Sequence, residues 1–191
     1  MNAPLLTYRM TVEQFLDWMD ARVAALPYDE PKWELFDGVP EMQEHETWRH
    51  AQSKLSITLA IRDAIRRSGL AYEVGIDGLG VRIGPKESYQ PEAVVFPKGL
   101  IAETDRHAPQ PIVVVEVLSP STRSKDLKIK AEGYGRVASI EHYLVIDPET
   151  REVLHYRRRG EGLVPEPEAL SSGTLRLEPP GLELDVAGMM G

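Results

Sequence analysis

The sequence predicts an α/β (α+β) fold that combines helices with a β-rich middle. Two segments before residue 70 repeat apolar side chains with helical periodicity. Several short apolar runs follow, separated by turn residues, which is typical of strands. No internal repeat, low-complexity tract or linker interrupts this pattern, so we expect one domain that spans residues 1–191.

Two helices are predicted near the N-terminus, each from a start signal and a stop signal. Thr11 and Gln14 have the spacing of a capping box, so the first helix should begin there and end before Pro27. The second helix should begin after Thr47, whose hydroxyl can cap it, and Gly69 is well placed to end it. We therefore expect an N-terminal helix as an addition to the central layers.

The remaining segments are predicted to be rich in strands. An Asp-Gly pair between two short apolar runs predicts a hairpin over residues 33–42. Further strands are predicted at residues 70–76, 79–83, 92–96, 112–118, 140–147, 152–156 and 174–177, with a hairpin around residues 159–160. A third helix should cover residues 124–137, although two glycines weaken it by about 1 kcal/mol each. The proline-rich tail, residues 165–180, is expected to be irregular apart from its short strand.

Composition and charge restrict the function classes. The formal net charge is −8, so contact with nucleic acid would have to use local basic patches. The chain has no cysteine, which excludes disulfides, thiolate metal sites and a cysteine nucleophile. No membrane-spanning run or signal-peptide pattern is present, so we expect a soluble, cytoplasmic protein. The absence of a phosphate-binding loop or dinucleotide fingerprint argues against a nucleotide cofactor.

Two carboxylates stand beside or within strands that are otherwise apolar. Glu92 directly precedes one apolar run, and Glu116 interrupts another. Burying a lone carboxylate is costly unless a partner or a cation neutralises it, so two of them on neighbouring strands indicate a divalent-metal site. Such a site suits phosphodiester hydrolysis, which needs oxygen ligands for Mg²⁺ and a positioned water. Glu34 and Lys130 are further candidates, because a nearby lysine can orient or deprotonate that water.

A series of short motifs follows a characteristic order along nearly the whole chain. They are residues 33–38, His50, residues 80–83, 91–95 and 115–122, Asp126 with Lys130 and Tyr134, and residues 141–147. This series resembles the Uma-two family of the PD-(D/E)XK, restriction-endonuclease-like superfamily, and the block at 115–122 is its most specific part. The resemblance implies a restriction-endonuclease-like core, a central mixed β-sheet flanked by helices, with acidic residues at one edge of the sheet. It also implies hydrolysis of DNA with Mg²⁺ (or Mn²⁺), often by a homodimer.

The resemblance also implies roles for individual residues. Glu92 lies at the family's proline–aspartate position and Glu116 at its second acidic position, so both would ligate the metal, while Glu34 matches the acid of the N-terminal hairpin. Two departures stand out: Glu92 replaces the usual aspartate, and Leu118 occupies the superfamily's lysine position. Lys130, on the following helix, would then act on the attacking water from another direction.

Each of these candidates also has a purely structural interpretation. Glu116 could form an ion pair with Lys130 or Arg82, and Glu34 could be a cross-strand partner in the hairpin. Glu92 could be a solvated residue at the start of a strand. Metal binding and structural pairing therefore both remain open for these carboxylates at the level of the sequence.

Three other residues have predicted catalytic or supporting roles. His50 is a candidate catalytic residue near the start of a helix, where packing or capping is the alternative. Asp126 shares a helical face with Lys130, and Tyr134 continues that face one turn later. Both are predicted to support the site, with a dipole-favoured helix start and core packing as their alternatives.

Basic side chains form three clusters that could hold a phosphate backbone. The best placed follows the acidic site in sequence and supplies the predicted nucleic-acid-binding residues Arg123, Lys125 and Lys128. The other two clusters are Arg62, Arg66 and Arg67, and residues 157–159. Such runs are also common as solvated faces or hairpin tips.

Three functions follow from these residues. The leading hypothesis is a Mg²⁺-dependent endonuclease that hydrolyses DNA phosphodiester bonds and acts as a homodimer. The main alternative is a catalytically weak or inactive protein of the same fold that serves as a DNA-binding or assembly module, which Glu92 and Leu118 favour. RNA hydrolysis is a third hypothesis, although no aromatic platform for single strands is evident.

Overall fold

A computed structural model describes residues 9–25, 31–43, 46–119 and 123–190. The helices are α1 (Val12–Ala25), α2 (Trp48–Ser68), a π-helix (Lys125–Lys130) that continues into α3 (Ala131–Arg136), and α4 (Val186–Met189). The strands are β1 (Trp33–Phe36), β2 (Val39–Met42), β3 (Tyr72–Ile76), β4 (Val81–Gly84), β5 (Glu87–Tyr89), β6 (Ala93–Pro97), β7 (Val113–Val117), β8 (His142–Asp147), β9 (Glu152–Arg159), β10 (Gly162–Leu163), β11 (Glu168–Leu170), β12 (Thr174–Leu177) and β13 (Leu182–Asp185). Pro27 and residues 120–122 of the specific sequence block lie outside the described residues.

The central sheet has the strand order β10-β9-β8-β7-β6-β3, and β11 also pairs with β9. Strands β7 and β8 are parallel, whereas the other neighbours are antiparallel. A smaller antiparallel sheet has the order β2-β1-β5-β4, and β12 pairs with β13. The predicted α+β architecture, a central mixed sheet flanked by helices with an N-terminal helix and hairpin, is therefore confirmed.

The two faces of the central sheet carry different packing. One face of the sheet, which includes Val113, Val115 and Val117 of β7, packs against the buried isoleucines of helix α2. The other face is aromatic and includes Val114 and the buried ring of Tyr134. Because side chains alternate along a strand, Glu116 lies on the same face as Val114, opposite α2. This alternation directs the Glu116 carboxyl group toward the π-helix and α3.

Local signals place the N-terminal elements as the sequence predicts. The Thr11 hydroxyl accepts a hydrogen bond from the backbone N–H of Gln14 at 3.3 Å, and the Gln14 side chain accepts one from Thr11 N–H at 2.9 Å, which completes the capping box. Thr47 caps α2 by accepting from the N–H of His50 at 3.3 Å. Gly69 ends α2 in the left-handed conformation, with φ of 67°.

The third helix and the tail differ from their predictions. The predicted helix over residues 124–137 is a π-helix followed by a short α-helix. Residues 165–180 are more regular than predicted, because they form β11 besides the predicted strand β12, and β5, β13 and α4 elsewhere in the chain were also missed. Strands β12 and β13 bury alternate leucines under α2, so their pairing depends on contacts that are distant in sequence.

Gly133 lies inside α3, at a position where the packing leaves no room for a side chain. A Cβ atom at this position would lie 2.5 Å from Cε2 and 2.8 Å from the hydroxyl of Tyr89. The ring of Tyr89 is fully buried and also packs edge-on against Tyr134, with 5.5 Å between the ring centroids. The glycine therefore allows α3 to approach the small sheet closely, at the cost of helix propensity.

A pair of buried histidines joins β8 to β9 on the face of the sheet that packs against α2. His142 Nε2 lies 2.7 Å from the carbonyl oxygen of Pro179, so this nitrogen carries a hydrogen and donates it. His142 Nδ1 then accepts from Nε2 of His155 at 2.8 Å. Burial lowers the pKa of His142 to about 4, and burial together with His142 lowers that of His155 to about 3. Both rings are therefore neutral at neutral pH.

We expect this histidine pair to make the fold sensitive to acid. The unfolded chain takes up protons near pH 6.5 and the folded pair only near pH 3 to 4, so stability is complete above pH 6.5 and falls as the pH drops. The expected loss is on the order of 3 kcal/mol. Urea unfolding at several pH values measures it, and His155→Asn should flatten the pH dependence relative to the wild type. An unchanged slope would contradict this assignment.

None of the helices in the described ranges combines the length and the apolar character that crossing a bilayer requires.

Candidate active site

A cleft of about 890 Å³ opens at one edge of the central sheet. Its walls come from the β1–β2 hairpin, the start of α2, the end of β7, the π-helix and the turn after β8. Rigid strand ends and two helix segments thus converge on one space. Such a concave site with polar groups is where a ligand or substrate would bind.

Glu92 and Glu116 lie on neighbouring strands at the floor of this cleft. The backbone N–H of Glu92 donates to the carbonyl of Val115 at 3.1 Å, which extends the β6–β7 pairing to this residue. Its carboxylate Oε2 accepts from the N–H of Val117 at 3.1 Å. Glu92 is 7% exposed and Glu116 is 2% exposed. The structure therefore fixes both carboxyl groups, with little access to bulk water.

The two carboxyl groups are close enough to share a proton. Burial raises the pKa of Glu116 well above its usual value, against the opposing charge of Lys130, and the neighbouring carboxylate of Glu92 raises it further. Burial would also raise the pKa of Glu92, but the hydrogen bond from Glu116 and the charge of Lys32 lower it. Burial and the repulsion between the two carboxylates therefore oppose full ionisation of the pair.

This donor set fits a divalent cation. Two buried carboxylates that must share a proton can instead share a metal ion, which removes the repulsion that holds the proton in place. Carboxylate oxygen is the ligand type that Mg²⁺ and Mn²⁺ prefer. The fit depends on Glu116 losing its proton, so metal affinity at this pair should rise with pH.

Lys130 is surrounded by carboxylates. Its Nζ lies 2.9 Å from Glu116 Oε1, 3.0 Å from Glu34 Oε1 and 3.5 Å from Asp126 Oδ1. Burial would lower its pKa, but Glu116, Glu34 and Asp126 raise it well above the usual value. Lys130 therefore contacts Glu116 from the helical segment that follows β7. It does so as a charged ammonium group.

Glu34 is held by three different donors. Besides Lys130, its Oε1 accepts from the backbone N–H of Gln90 at 2.7 Å, and its Oε2 accepts from the side-chain amide of Gln43 at 2.9 Å. Glu34 is 1% exposed. Its carboxylate thus connects the small sheet to the ammonium group that touches Glu116.

Tyr134 and Asp126 contact the same centre. The hydroxyl of Tyr134 donates to Glu116 Oε1 at 2.7 Å, while its ring is fully buried in the aromatic layer. Asp126 is buried and faces Lys130, and its backbone carbonyl accepts from the Tyr143 hydroxyl at 3.1 Å. Both residues combine packing with direct contacts that orient Glu116 and Lys130.

His50 lies beside the carboxylates, at the first turn of α2. Its Nε2 is 2.8 Å from the carbonyl oxygen of Val117, the residue after Glu116. Its Nδ1 faces Glu46 Oε2 at 3.4 Å. The interpretation of His50 as a capping residue is too simple, because the imidazole bridges α2 and the end of β7 at the cleft.

The three predicted nucleic-acid-binding residues differ in whether they line the cleft. Arg123 lines the cleft and pairs with Asp147 at 2.6 Å. Lys125 pairs with Glu41 and lies over the ring of Phe36. Lys128 is exposed and does not line the cleft. Of the three residues, the structure brings only Arg123 to the cleft.

Several residues of the site escaped prediction. Lys32 Nζ lies 3.5 Å from Glu92 Oε1 and 3.1 Å from Asp77 Oδ1. Lys54 contacts both Glu46 and Asp77. The position of Lys32 could have been predicted. It precedes Glu34 by two residues, and residues two apart on a strand share a face. The sequence around Asp77 predicts only a turn, and a turn signal does not indicate contacts with residues distant in sequence.

Acidic side chains outnumber basic ones among the described residues that line the cleft. The carboxylates are Glu34, Glu46, Glu92, Glu116, Asp126, Asp147 and Glu149, and the basic side chains are Lys32, Arg49, Arg123 and Lys130. Negative charge at the floor of the cleft repels a phosphate backbone unless a cation offsets it. The electrostatics therefore favour a cation between the protein and any nucleic acid bound there.

Comparison with known proteins agrees with this architecture. A solved structure described as "a putative nuclease belonging to DUF820" from Anabaena variabilis is similar, with a TM-score of 0.67 and 17% sequence identity. The match covers 95% of this chain and 97% of that one, which confirms the predicted restriction-endonuclease-like fold class. No curated protein matches the chain. The model of the family Uma2, described as "Putative restriction endonuclease", matches residues 12–187. The chain therefore belongs to the Uma2 (Uma-two) family.

Proposed function

We propose that this protein is an endonuclease that hydrolyses DNA phosphodiester bonds with Mg²⁺ or Mn²⁺. The observation that carries the proposal is the pair of buried carboxyl groups of Glu92 and Glu116 on neighbouring strands at the floor of the cleft, where burial and the charge of Glu92 raise the pKa of Glu116. Family membership supports a nuclease in general. The cation, the DNA substrate and the residue roles are the finer parts of the proposal.

Glu92 and Glu116 would hold the metal ion. When bound, the ion would polarise a phosphate oxygen and make a nearby water more acidic. The N–H of Val117 and the hydroxyl of Tyr134 fix the two carboxyl groups, so the ligand oxygens need little rearrangement to bind. His50 would position the end of β7 through the Val117 carbonyl.

Lys130 would stabilise negative charge in this mechanism. Its neighbours keep it protonated, so it donates hydrogen bonds and cannot take a proton from water in this state. An ammonium group next to the metal ligands can orient the attacking water and offset charge that develops on the phosphate. Glu34 and Asp126 would hold Lys130 in place.

DNA would enter over the mouth of the cleft. Arg49 and Arg123 line the cleft and could contact phosphates on either side of the reacting bond. Lys128 is exposed on the π-helix and could contact the backbone outside the cleft. Lys125 would first have to leave Glu41.

Cleavage of supercoiled plasmid tests this proposal. We expect the purified protein to nick plasmid DNA with Mg²⁺ or Mn²⁺ and to lose all activity in chelator, because the chelator removes the metal ion from the carboxyl pair. Readdition of metal should restore cleavage. The exposed variant Glu103→Gln, purified in the same way, should cut like the wild type. Cleavage that persists in chelator would contradict metal dependence.

A non-catalytic module of the same fold is the second candidate. The observation that favours it is the ion pairing of Lys130 with three carboxylates, which already neutralises much of the site. The replacement of the usual aspartate by Glu92 also favours the non-catalytic module. Calorimetry separates the two candidates: DNA binding without any Mg²⁺ or Mn²⁺ binding at millimolar concentration would favour the module.

Three expectations from the sequence stay predictions. They are a single domain over residues 1–191, a homodimer and a cytoplasmic location. Light scattering on the purified full chain measures the mass of the assembly. A mass near 21.4 kDa would contradict the homodimer, because that is the mass of one chain.

A further inference from the structure

A second acidic cluster lies on the other side of Glu92. Glu46 precedes α2, Asp77 lies in the turn after β3, and each offers one oxygen within 4.8 Å of the other and of Glu92. Oxygens around one cation lie up to about 4.3 Å apart, so movements of a few tenths of an ångström would close this cluster on an ion. Glu46 and Asp77 are partly exposed and have room for such movements.

His50 provides a second and independent observation. The Val117 carbonyl can only accept, so His50 Nε2 carries a hydrogen, and in the tautomer with a single ring hydrogen Nδ1 is an acceptor. That Nδ1 is buried, and no hydrogen-bond donor reaches it among the described residues. It faces the acceptor oxygen of Glu46 at 3.4 Å. Two acceptors face each other favourably only when a proton or a metal ion lies between them.

The surroundings attract positive charge. The ammonium group of Lys54 contacts Glu46 and Asp77, and that of Lys32 contacts Asp77 and Glu92. A divalent ion would compete mainly with Lys54, whose long flexible side chain can move aside. Lys54 is therefore expected to weaken metal binding here rather than to assist it.

We propose that Glu46, Asp77, Glu92 and Nδ1 of His50 form a second cation position for a divalent transition ion such as Mn²⁺. Glu92 would be shared with the Glu92–Glu116 position, so this inference rests on the proposed function. The imidazole ligand disfavours Mg²⁺, which takes oxygen ligands, and is better suited to divalent transition ions. The Val117 carbonyl on Nε2 provides the support that usually fixes the ring of a metal-binding histidine.

Counting bound Mn²⁺ on the full chain by equilibrium dialysis and electron paramagnetic resonance tests this inference. The wild type should bind two ions, and Asp77→Asn and Glu116→Gln should each bind one. The matched control Asp105→Asn changes an exposed loop acid and should bind two. Lys54→Met should tighten the ion that depends on Asp77 by about tenfold, because it removes the competing charge. Nitrogen coupling to Mn²⁺ should be present in the wild type and lost in His50→Asn.

The outcomes separate the two proposals. One ion that stays in Asp77→Asn and is lost in Glu116→Gln would overturn the second position and leave the proposed nuclease site intact. One ion with the opposite dependence would support the second position and overturn the Glu92–Glu116 metal site. No binding by the wild type would overturn both. Nitrogen coupling that persists in His50→Asn would overturn the role of His50.

Discussion

The Glu116→Gln variant is expected to lose DNA cleavage by at least about a thousandfold while it remains folded. An amide has no negative charge to offer a divalent ion, so the Glu92–Glu116 position should no longer bind metal. Folding should be retained, because the amide has nearly the same shape as the carboxyl group and burial already opposes the charge of Glu116. The amide oxygen can still accept from Tyr134 and Lys130.

Plasmid cleavage in Mg²⁺, together with thermal unfolding, separates loss of chemistry from loss of fold. The melting temperature of Glu116→Gln without metal should match that of the wild type, and Glu103→Gln serves as the matched control at an exposed acid. Cleavage by Glu116→Gln at the wild-type rate would mean that the activity belongs to another site or to a contaminant.

The Lys130→Met variant is expected to destabilise the fold by about 3–5 kcal/mol at pH 8. Methionine fills a similar volume but leaves Glu34, Glu116 and Asp126 around a missing charge. The pKa of Glu116 would then rise further in the folded state, because Lys130 no longer opposes its protonation, so the folded variant would bind more protons than the unfolded chain. Its stability should therefore fall as the pH rises, and the defect should be smaller at pH 5 than at pH 8.

Urea unfolding at both pH values provides the measurement. Lys128→Met is the matched control, because Lys128 lies in the same π-helix and is exposed. It should cost little at either pH. Equal stability of the two variants at pH 8 would show that the buried ammonium group does not hold the carboxylates together. If Lys130→Met does not fold at pH 8, the same comparison at pH 5 still tests the sign.

Local signals predicted most of the fold. Thr11, Thr47 and Gly69 carry their start and stop information within a few residues, so the start of α1 and both ends of α2 could be predicted. Strand β12 in the tail was predicted, but its partner β13 was not, because β13 is held by burial under α2. The π-helix has no local signature, since it follows from how this segment packs against the sheet.

The acidic pair could be predicted for an energetic reason. A carboxylate in an apolar strand needs a partner, and this rule brought Glu92 and Glu116 to attention without a structure. The rule says nothing about exposed ligands such as Glu46 and Asp77, whose approach to Glu92 depends on distant loops. It also gave no protonation state for Lys130, which depends on three carboxylates at once.

Glu34 has a consequence for how relatives of this protein are interpreted. Its carboxylate joins the N-terminal hairpin to Lys130, so the residues nearest the chemistry also attach one layer of the molecule to another. A relative without nuclease activity would still need Glu34 and Lys130 to remain folded. Selection for stability alone would then preserve both, and their retention in a homologue is not sufficient proof that it is an active enzyme.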